Sequence, residues 1–433
     1  MSIKVIKQGK SIKGTVTIPG DKSISHRSIM LGAIARGTTT ISHFLMGADC
    51  LATINCFKEM GVEISKKDRK IIVQGCGLRG LRQPSNVLDV GNSGTTTRLL
   101  SGLLVGQNFD SMLSGDDSLT SRPMKRIITP LSEMGGNITS VNGDDCAPLR
   151  ISPGRLRGID YYSPVASAQV KSAILLAGLY ADSKTSVTEP ILSRNHTEIM
   201  LKSFGCDVIS EVEKDGSATA HILPCEDLMA RDIYVPGDIS SAAYFIAAAL
   251  LIPGSELLVK DVGINDTRSG FLQVVQAMGG NISLLNKKKS AGEPMADILV
   301  RSSELKSTTI SGPIIPTLID EIPIIAVMAA CASGTTVIKD AGELRVKETD
   351  RISTITTNLK EMGANIIPTD DGLIIEGNNK PLVGAKIDSK LDHRIAMAFT
   401  IAGLVASGET TILDSECVDV SFPNFFESID RAE

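Results

Sequence analysis

The sequence predicts an α/β protein of two domains that arose by internal duplication. Three observations predict this fold class: the length of 433 residues, a short phrase that recurs along the chain, and a turn that recurs after half of the length. A single hydrophobic core stops growing near about 250–300 residues, so a chain of this length divides. The composition, 42% hydrophobic and 21% charged, is that of a folded globular protein and excludes the disordered class.

The recurrent phrase is the end of an apolar helix, then Met-Gly or Phe-Gly, then the start of a strand. Its glycines are Gly61, Gly135, Gly205, Gly279 and Gly363, spaced by 74, 70, 74 and 84 residues. Glycine at this place favours a left-handed helix C-cap. A second phrase, in which an apolar helix leads through a small turn to a Thr- or Val-rich strand, occurs six times. We therefore expect six repeats of about 72 residues.

The turn that recurs is Pro-Gly-Asp, preceded by Ile18 in the first half and by Val235 in the second. Its prolines, Pro19 and Pro236, are 217 residues apart, which is half of the chain. Each repeat alternates helices and strands, as in an α/β unit whose strands can be mixed. We expect one domain of residues 20–236, a second of residues 1–19 with 237–433, and a ligand cleft between them.

Charge and hydropathy exclude two classes of function. The chain has 44 Lys+Arg against 49 Asp+Glu, a net charge of −5 and only 3% aromatic residues, so it lacks the basic surface and the stacking aromatics of a nucleic-acid-binding protein. Its longest apolar stretches are shorter than the roughly 18–20 residues that span a bilayer, and its first ten residues contain no secretory signal. We expect a cytoplasmic protein without nucleic-acid or membrane partners. The eight cysteines form no C-x-x-C pair and predict neither a zinc site nor a disulfide framework.

The first Pro-Gly-Asp turn is followed by Lys-Ser-Ile-Ser-His-Arg at residues 22–27, whereas the equivalent stretch of the second half has no cation. Asp21 or Ser23 can cap a helix N-terminus, whose free N–H groups and dipole favour anions. Lys22 and Arg27 beside that terminus indicate a phosphate or carboxylate site. A solvated first turn with incidental charges is the alternative.

Further stretches of the first half have residue types that bind oxyanions. Residues 89–98 form a Gly- and hydroxyl-rich strand-to-helix turn without the Walker spacing, so helix capping is as good an interpretation as binding. Arg122 precedes Pro123, which predicts an extended loop suited to clamping an anion. Residues 163–172 and 193–198 place hydroxyls, an amide and cations at helix entrances, which suits a polyhydroxylated anionic substrate.

In the second half, charged residues cluster at junctions between loops and helices. Asp320 and Glu321 interrupt an apolar run, where an unpaired carboxylate costs free energy and holds a proton more readily, as is typical of a general base. A capped surface turn is equally compatible with this pattern. Residues 345–351 and 392–394 bring four arginine or lysine side chains to such junctions, and we interpret them as a second anion site rather than a solvated face.

Together these motifs resemble the enolpyruvyl transferase family, in the family's order and over nearly the whole chain. The motifs that carry the resemblance are residues 19–27, 91–98, 115–124, 167–169, 194–198, Asp320, 345–351 and 392–394. The resemblance implies two inside-out α/β barrels, each of three βαβαββ units. It also implies an enzyme of the shikimate pathway that transfers the enolpyruvyl group of phosphoenolpyruvate to the 5-hydroxyl of shikimate 3-phosphate and releases phosphate. Such an enzyme needs no metal and no organic cofactor, and we expect it to be a monomer.

The resemblance implies a role for each matching residue. Shikimate 3-phosphate would be bound by Lys22, Ser23, Arg27, Ser167, Ala168, Gln169, Arg194, Asp320 and Lys347. Phosphoenolpyruvate would be bound by Lys22, Gly94, Arg122, Gln169, Arg351 and Arg394. In catalysis Asp320 would deprotonate the hydroxyl, and Lys22 and Glu348 would handle the proton at C3 of phosphoenolpyruvate, with no division of this work between them.

Two positions depart from the common family pattern, and one position bears on inhibition. Ala168 stands where many members have a second Ser, and Val420 stands where many have a Lys that reaches phosphoenolpyruvate, which leaves the completion of that pocket open. Members with Ala at the position of Gly94 tend to exclude glyphosate, so Gly94 leaves room for this inhibitor.

Two alternative functions accompany the main one. The family's UDP-N-acetylglucosamine transferase carries a Cys in a loop of its first domain, and residues 111–130 of this chain contain none. A non-catalytic anion-binding module or an RNA-end-processing relative is the alternative from another class, against which the net negative charge argues.

Overall fold

The computed structural model describes residues 2–377 and 381–432, and the chain divides into two compact units. The middle unit consists of Gly20–Pro236 with Lys289–Glu293, and the outer unit of Met1–Pro19, Gly237–Lys288 and Pro294–Glu433. Each unit has its own hydrophobic core. The placement of residues 289–293 corrects the domain bounds expected from the sequence. These residues lie at the turn of a hairpin whose strands belong mostly to the outer unit.

The described residues contain thirteen α-helices, which alternate with the strands. They are α1 Lys22–Ile34, α2 Ala48–Glu59, α3 Gly94–Leu104, α4 Asp117–Thr120, α5 Lys125–Glu133, α6 Ala168–Gly178, α7 His196–Ser203, α8 Ile239–Leu251, α9 Gly270–Ala277, α10 Ile322–Cys331, α11 Arg351–Glu361, α12 His393–Val405 and α13 Phe425–Ala432. Short 3₁₀ helices occupy Gly312–Thr317, Ile319–Glu321, Gly342–Val346 and Ser415–Val420.

The same residues contain twenty-four strands. They are β1 Ile3–Ile6, β2 Lys13–Thr17, β3 Ala35–Ser42, β4 Glu63–Lys67, β5 Lys70–Cys76, β6 Leu88–Asp89, β7 Ser111–Ser114, β8 Asn137–Ser140, β9 Leu149–Ser152, β10 Asp160–Tyr162, β11 Thr185–Glu189, β12 Val208–Val212, β13 Ala218–Ile222, β14 Leu228–Met229, β15 Ile233–Tyr234, β16 Glu256–Gly263, β17 Asn281–Ser290, β18 Glu293–Arg301, β19 Thr309–Ile310, β20 Gly334–Ile338, β21 Asn365–Pro368, β22 Leu373–Gly377, β23 Lys386–Asp388 and β24 Thr410–Leu413.

The strands form six sheets, three in each unit, and one pairing pattern recurs in them. In one sheet β6 pairs in parallel with β7, which pairs antiparallel with β9, which in turn pairs antiparallel with β8. The same order is found in β10-β11-β13-β12, β14-β3-β5-β4, β19-β20-β22-β21 and β2-β16-β18-β17. In the sixth sheet β23 pairs in parallel with β24, and β1 joins on the other side. The predicted α/β fold of six repeats is confirmed.

Three helices in each unit are buried around almost their whole circumference. In α8 every residue from Ile239 to Leu250 is buried, and α8, α10 and α12 pack against one another. In the middle unit α3 packs against α6 and α1. A helix that is apolar on all sides must be enclosed, so these helices lie inside and the sheets outside, as the inside-out barrel requires. The longest helices of the described chain have 13 residues, about 20 Å, and none of them could cross the roughly 30 Å core of a bilayer.

The recurrent glycine phrase ends helices as predicted. All five glycines have positive φ, between 80° and 97°. At the first of them the Gly61 N–H donates to the Lys58 carbonyl at 2.9 Å and the Val62 N–H to the Phe57 carbonyl at 3.0 Å, which is the Schellman motif. Five of the six repeats therefore turn from a helix into paired strands at a residue whose left-handed conformation only glycine adopts without strain.

Candidate active site

Helix α1 begins directly after the first Pro-Gly-Asp turn and carries three of the predicted site residues. Asp21 is its N-cap, because its Oδ1 accepts from the Ile24 N–H at 2.9 Å. The Lys22 ammonium pairs with the Asp49 carboxylate in the first turn of α2, and a third of the Lys22 side chain is exposed. Lys22 is therefore accessible at the helix start and is held there by a carboxylate.

Arg27, one turn further along α1, is a buried cation with neutral hydrogen-bond acceptors. Its Nε donates to Thr197 Oγ1 at 2.7 Å, its Nη2 to Ser172 Oγ at 2.8 Å and its Nη1 to the Ser23 carbonyl at 3.0 Å. Burial lowers the pKa of Arg27 to about 10, although the nearby Glu198 carboxylate raises it. Arg27 thus stays charged at neutral pH and links α1 to α6 and α7.

The turn before α3 places Gly94 against two guanidinium groups. A Cβ at Gly94 would lie 2.8 Å from Arg98 Nη1 and 3.6 Å from Arg122 Nη1. Arg98 Nη1 donates to Gln169 Oε1 at 2.7 Å, and Gln169 Nε2 donates to Thr95 Oγ1 at 3.1 Å. Burial, and then the charge of Arg122, lower the pKa of Arg98 to about 10. An anion at this turn would relieve the repulsion between the two guanidinium groups.

Arg122 lies in the bend between α4 and α5. Its Nη2 donates to Asn92 Oδ1 at 2.6 Å and to Ser118 Oγ at 3.0 Å. Residues 117–120 form the short helix α4, and Arg122 lies outside the helices, as expected for the residue before Pro123. Pro123 restricts only the residue before it, so a short helix can end at Thr120.

The start of α6 carries three further predicted residues. Ser167 is the N-cap, since its Oγ accepts from the Val170 N–H at 3.4 Å, and Ala168 is the first helical residue. The Ser167 N–H donates to Glu189 Oε1 at 2.7 Å. Arg194 lies in the loop between β11 and α7.

In the outer unit, Asp320 lies just before α10 and its carboxylate faces four cations. Its Oδ1 is 3.6 Å from Arg351 Nη1 and 3.7 Å from Lys347 Nζ. Its Oδ2 is 3.7 Å from Arg394 Nη2 and 4.0 Å from Arg268 Nη1. The expectation of an unpaired carboxylate in apolar surroundings is wrong, because the apolar residues are its neighbours in sequence and the cations its neighbours in space.

Arg351 is fully buried and holds two acidic residues. Its Nε donates to Asp392 Oδ2 at 2.8 Å and its Nη2 to Glu348 Oε2 at 2.5 Å. Burial alone would raise the pKa of Asp392 and of Glu348, but the Arg351 charge outweighs it and lowers both. Within the described residues the Arg351 Nη1 atom makes no hydrogen bond, and it lies on the Asp320 side. One N–H direction of this buried guanidinium is therefore available to a ligand.

Arg394, the second residue of α12, completes the group around Asp320. Its Nη1 donates to the Asp320 carbonyl at 3.4 Å and lies 3.9 Å from Glu321 Oε1. Burial lowers the pKa of Arg394, but the Asp320 charge and, more weakly, that of Glu321 outweigh it and raise the pKa well above its usual value. Lys347 pairs with Glu343 at 2.8 Å in addition to Asp320. This cluster offers several cationic donors around one carboxylate.

Comparison with known proteins identifies the family. The family model described as EPSP synthase (3-phosphoshikimate 1-carboxyvinyltransferase) matches residues 6–429. The chain belongs to this family. It is 56% identical over 422 residues to the 3-phosphoshikimate 1-carboxyvinyltransferase of Brevibacillus brevis, with 98% of both chains covered. It is 53% identical over 431 residues to the protein of the same name from Geotalea uraniireducens, with 100% of this chain and 99% of that one covered.

Solved structures agree with the family assignment. EPSP synthase from Acinetobacter baumannii matches with a TM-score of 0.92 and 46% identity over 99% of this chain and 98% of that one. The enolpyruvyl transferase NikO from Streptomyces tendae matches with a TM-score of 0.78 at 16% identity, over 99% of this chain and 97% of that one, and so shares the fold.

The sequence analysis missed several residues of this EPSP synthase family member. These residues contact predicted site residues. Asp49 and Arg98 hold Lys22 and Gln169, and Asp392 holds Arg351. Arg98 and Asp392 lie within the quoted motifs, so their position was a usable signal. Arg268 follows Asn-Asp-Thr in an ordinary-looking loop, and nothing in its sequence context indicates that it lies near Asp320.

Two residues that the sequence analysis singled out, Arg345 and Val420, do not join the cluster around Asp320. Arg345 donates to the Thr369 and Asp370 carbonyls, each at 2.7 Å, and so stabilises a loop. The sequence analysis counted Arg345 in the second anion site, and the structure corrects this. Val420 ends the last 3₁₀ helix with 47% of its surface exposed.

Proposed function

We propose that this member of the EPSP synthase family transfers the enolpyruvyl group of phosphoenolpyruvate to the 5-hydroxyl of shikimate 3-phosphate. The products are 5-enolpyruvylshikimate 3-phosphate and phosphate. The relatives of this name at 52–56% identity over nearly the full chain support the reaction. The geometric observation that supports it is the Asp320 carboxylate with Lys347, Arg351 and Arg394 within 4 Å.

The reaction is an addition followed by an elimination. The 5-oxygen forms a bond to C2 of phosphoenolpyruvate while its proton leaves and C3 gains a proton. C3 then loses a proton as the C2–O bond to phosphate breaks, which restores the double bond. A base for the hydroxyl, a proton donor and acceptor for C3, and cations for the departing phosphate are needed.

The residues predicted for these roles are suited to them chemically. Asp320 is the proposed base for the hydroxyl. Arg351 holds Glu348 ionised, so we assign Glu348 the removal of the C3 proton in the elimination, whereas the Lys22 ammonium can supply a proton in the addition. Arg122, Arg351 and Arg394 would stabilise the charge on phosphoenolpyruvate and on the released phosphate.

The remaining binding roles follow the resemblance. We propose that Ser23, Arg27, Ser167, Ala168, Gln169, Arg194 and Lys347 bind shikimate 3-phosphate together with Lys22 and Asp320, and that Gly94 and Gln169 border phosphoenolpyruvate. We further propose that the predicted residues of both units act on one substrate pair in a cleft. A monomeric, cytoplasmic enzyme stays a prediction from the sequence.

Phosphate release tests the proposal directly. Wild-type protein with phosphoenolpyruvate and shikimate 3-phosphate should release phosphate in a 1:1 ratio with 5-enolpyruvylshikimate 3-phosphate. Replacing shikimate 3-phosphate by UDP-N-acetylglucosamine should abolish the release, and Asp320→Asn should lower turnover by about 100-fold or more, the usual range for loss of a general base. Equal phosphate release with the two acceptors would contradict the assignment.

A further inference from the structure

A buried ion cluster lies behind the residues predicted to bind shikimate 3-phosphate in the middle unit. Lys171, in the first turn of α6, has only 2% of its side chain exposed. Its ammonium lies 2.8 Å from Glu198 Oε1 and 3.0 Å from Glu189 Oε2, and it donates to the Ser193 carbonyl at 3.2 Å. These three oxygens surround the ammonium in the interior of the unit. Lys171 is therefore committed to the interior and is not itself a substrate ligand.

Glu189, at the end of β11, joins two chain segments through its carboxylate. Its Oε1 accepts from the Ser167 N–H at 2.7 Å. Its Oε2 accepts from Ser193 Oγ at 2.7 Å and from the Ser193 N–H at 3.3 Å. Only 1% of Glu189 is exposed. The start of α6 and the loop that carries Arg194 are thus fixed to one carboxylate.

Glu198 brings α7 to the same ammonium. Burial would lower the pKa of Lys171, but the charge of Glu198 and then that of Glu189 outweigh it and raise the pKa, so Lys171 stays protonated. Thr197, the preceding residue of α7, accepts from Arg27 and hydrogen-bonds Ser172 Oγ at 2.6 Å. Segments from α1, α6 and α7 are therefore joined behind a single group of predicted ligands.

We propose that Lys171 and Glu189 are positioning residues for shikimate 3-phosphate, an inference that rests on the proposed function. They hold the backbone of Ser167 and Ser193, and so place Ser167 and Arg194 for the substrate without touching it. Gln169, which also borders phosphoenolpyruvate in the proposal, is held separately by Arg98 and Thr95. Gly94 and Arg122 lie on other segments of the chain. Among the described residues, no hydrogen bond or ion pair joins these two residues to the Lys171 cluster. Loss of the cluster should therefore weaken the binding of shikimate 3-phosphate far more than the binding of phosphoenolpyruvate.

Lys171→Met tests this inference by two separate readouts. Titration calorimetry with shikimate 3-phosphate alone should give a Kd about 10- to 100-fold above that of the wild type, since the loss of a hydrogen bond to a charged group has an effect of about this size. The KM for phosphoenolpyruvate at saturating shikimate 3-phosphate should change by less than about threefold, because the Arg122 side of the site is unchanged.

A conservative variant separates positioning from loss of stability. Glu189→Gln retains one acceptor oxygen, so it can still accept from Ser167 or from Ser193 but not from both, whereas Glu189→Leu can accept from neither. Glu189→Gln should raise the Kd for shikimate 3-phosphate less than Glu189→Leu does, and Glu189→Leu should resemble Lys171→Met. Gln107→Met is the matched control, because Gln107 is a buried residue of the same unit that donates to the Leu78 and Leu103 carbonyls at 3.2 and 3.3 Å. It should lower Tm and leave the Kd for shikimate 3-phosphate and the KM for phosphoenolpyruvate unchanged.

Each outcome decides the inference. A Lys171→Met protein that binds shikimate 3-phosphate within twofold of the wild type, or that loses affinity for both substrates alike, would overturn it. If Lys171→Met does not fold, Lys171→Met/Glu198→Gln removes a buried anion with the cation and is measured in the same way. A wild type that releases no phosphate from the two substrates would instead refute the proposed function.

Discussion

At the scale of single residues, several predicted site residues are held by partners to which the sequence analysis gave no role. Lys22 is paired with Asp49, and Gln169 is held by Arg98. The motifs identified which residues carry chemistry, because residue type and helix-start position are local properties. Their partners lie elsewhere in the chain, so only the folded structure shows them.

Lys22→Ala should reduce turnover by more than tenfold, a loss of over about 1.4 kcal/mol of transition-state stabilisation. Lys22 is a partly exposed cation at a helix N-terminus, where Asp49 holds it, and in the proposed function its ammonium also binds substrate and supplies a proton. Phosphate release in steady state is the measurement. Lys66→Ala, which removes an exposed lysine of β4, should retain full activity. A Lys22→Ala protein with more than a tenth of wild-type turnover would exclude a catalytic role.

Gly94→Ala should weaken the binding of glyphosate more than it weakens the binding of phosphoenolpyruvate. The added Cβ would lie 2.8 Å from Arg98 Nη1, so this guanidinium, which also holds Gln169, must shift. One methyl group in a tight site changes binding by about 1–3 kcal/mol. Inhibition constants against phosphoenolpyruvate for both proteins decide the question. A wild type that is insensitive at millimolar glyphosate, or equal constants in the two proteins, would count against it.

At the scale of elements, glycine caps end the helices of five repeats, and strand β16 of one repeat contains a bulge. The bulge in β16 lies between Val259 and Val262, where the register with β18 shifts and Asp261 has a φ of 52°. Asp297 of β18 holds it, accepting from the Asp261 N–H at 2.9 Å and from Lys260 Nζ at 2.6 Å. The caps were predictable from glycine spacing, whereas the bulge depends on a cross-strand carboxylate that no local pattern indicates.

Gly279→Ala should destabilise the protein by about 1–2 kcal/mol, the cost of the left-handed conformation for a residue with a Cβ. Gly279 has a φ of 80° and an added Cβ would meet nothing within 4 Å, so strain in the backbone is the whole effect. Urea unfolding should show a lower midpoint with an unchanged slope. Gly342→Ala is the control, because an added Cβ would contact only Asp371, at 3.8 Å or more, and should be nearly neutral.

Asp297→Asn should remove part of the acid sensitivity of unfolding. Burial raises the pKa of Asp297, but its hydrogen bonds with Lys260 and Asn286 outweigh burial and lower it. A carboxylate with a lowered folded pKa stabilises the fold above the unfolded value of about 3.9 and loses this contribution as pH falls through the folded value. The variant should be about 1.5–3 kcal/mol less stable at pH 7, and the difference should shrink below about pH 4. Unfolding free energies at pH 7 and pH 3 are the measurement, and a difference independent of pH would contradict the argument.

At the scale of the whole molecule, two units with separate cores each carry part of the predicted site. Lys22, Arg27, Gly94, Arg122, Gln169 and Arg194 lie in the middle unit, and Asp320, Lys347, Glu348, Arg351 and Arg394 in the outer unit. We propose that both groups serve one reaction, so both units must contribute to one substrate site. Closure of units around a substrate is a common way to meet this need.

Shikimate 3-phosphate should therefore lower the radius of gyration in small-angle scattering, and glyphosate added with it should maintain the change. The wild type with shikimate, which lacks the phosphate, serves as the control and should cause less change. A radius of gyration that is the same with and without shikimate 3-phosphate would argue against closure.

The sequence by itself determined the six-repeat α/β fold, the helix caps and the list of candidate site residues. It could do so because periodicity, glycine spacing and cap chemistry act over a few residues, and because the motifs resemble those of a known family. Only the tertiary structure decided that Asp320 is surrounded by cations, that Lys171 and Glu189 join three segments, and that Lys289–Glu293 belongs with the middle unit, where Glu293 hydrogen-bonds His196 at 2.8 Å. The partners in these contacts are separated by up to 97 residues in the chain, and no periodic pattern connects them, so they meet only because the elements that carry them pack together.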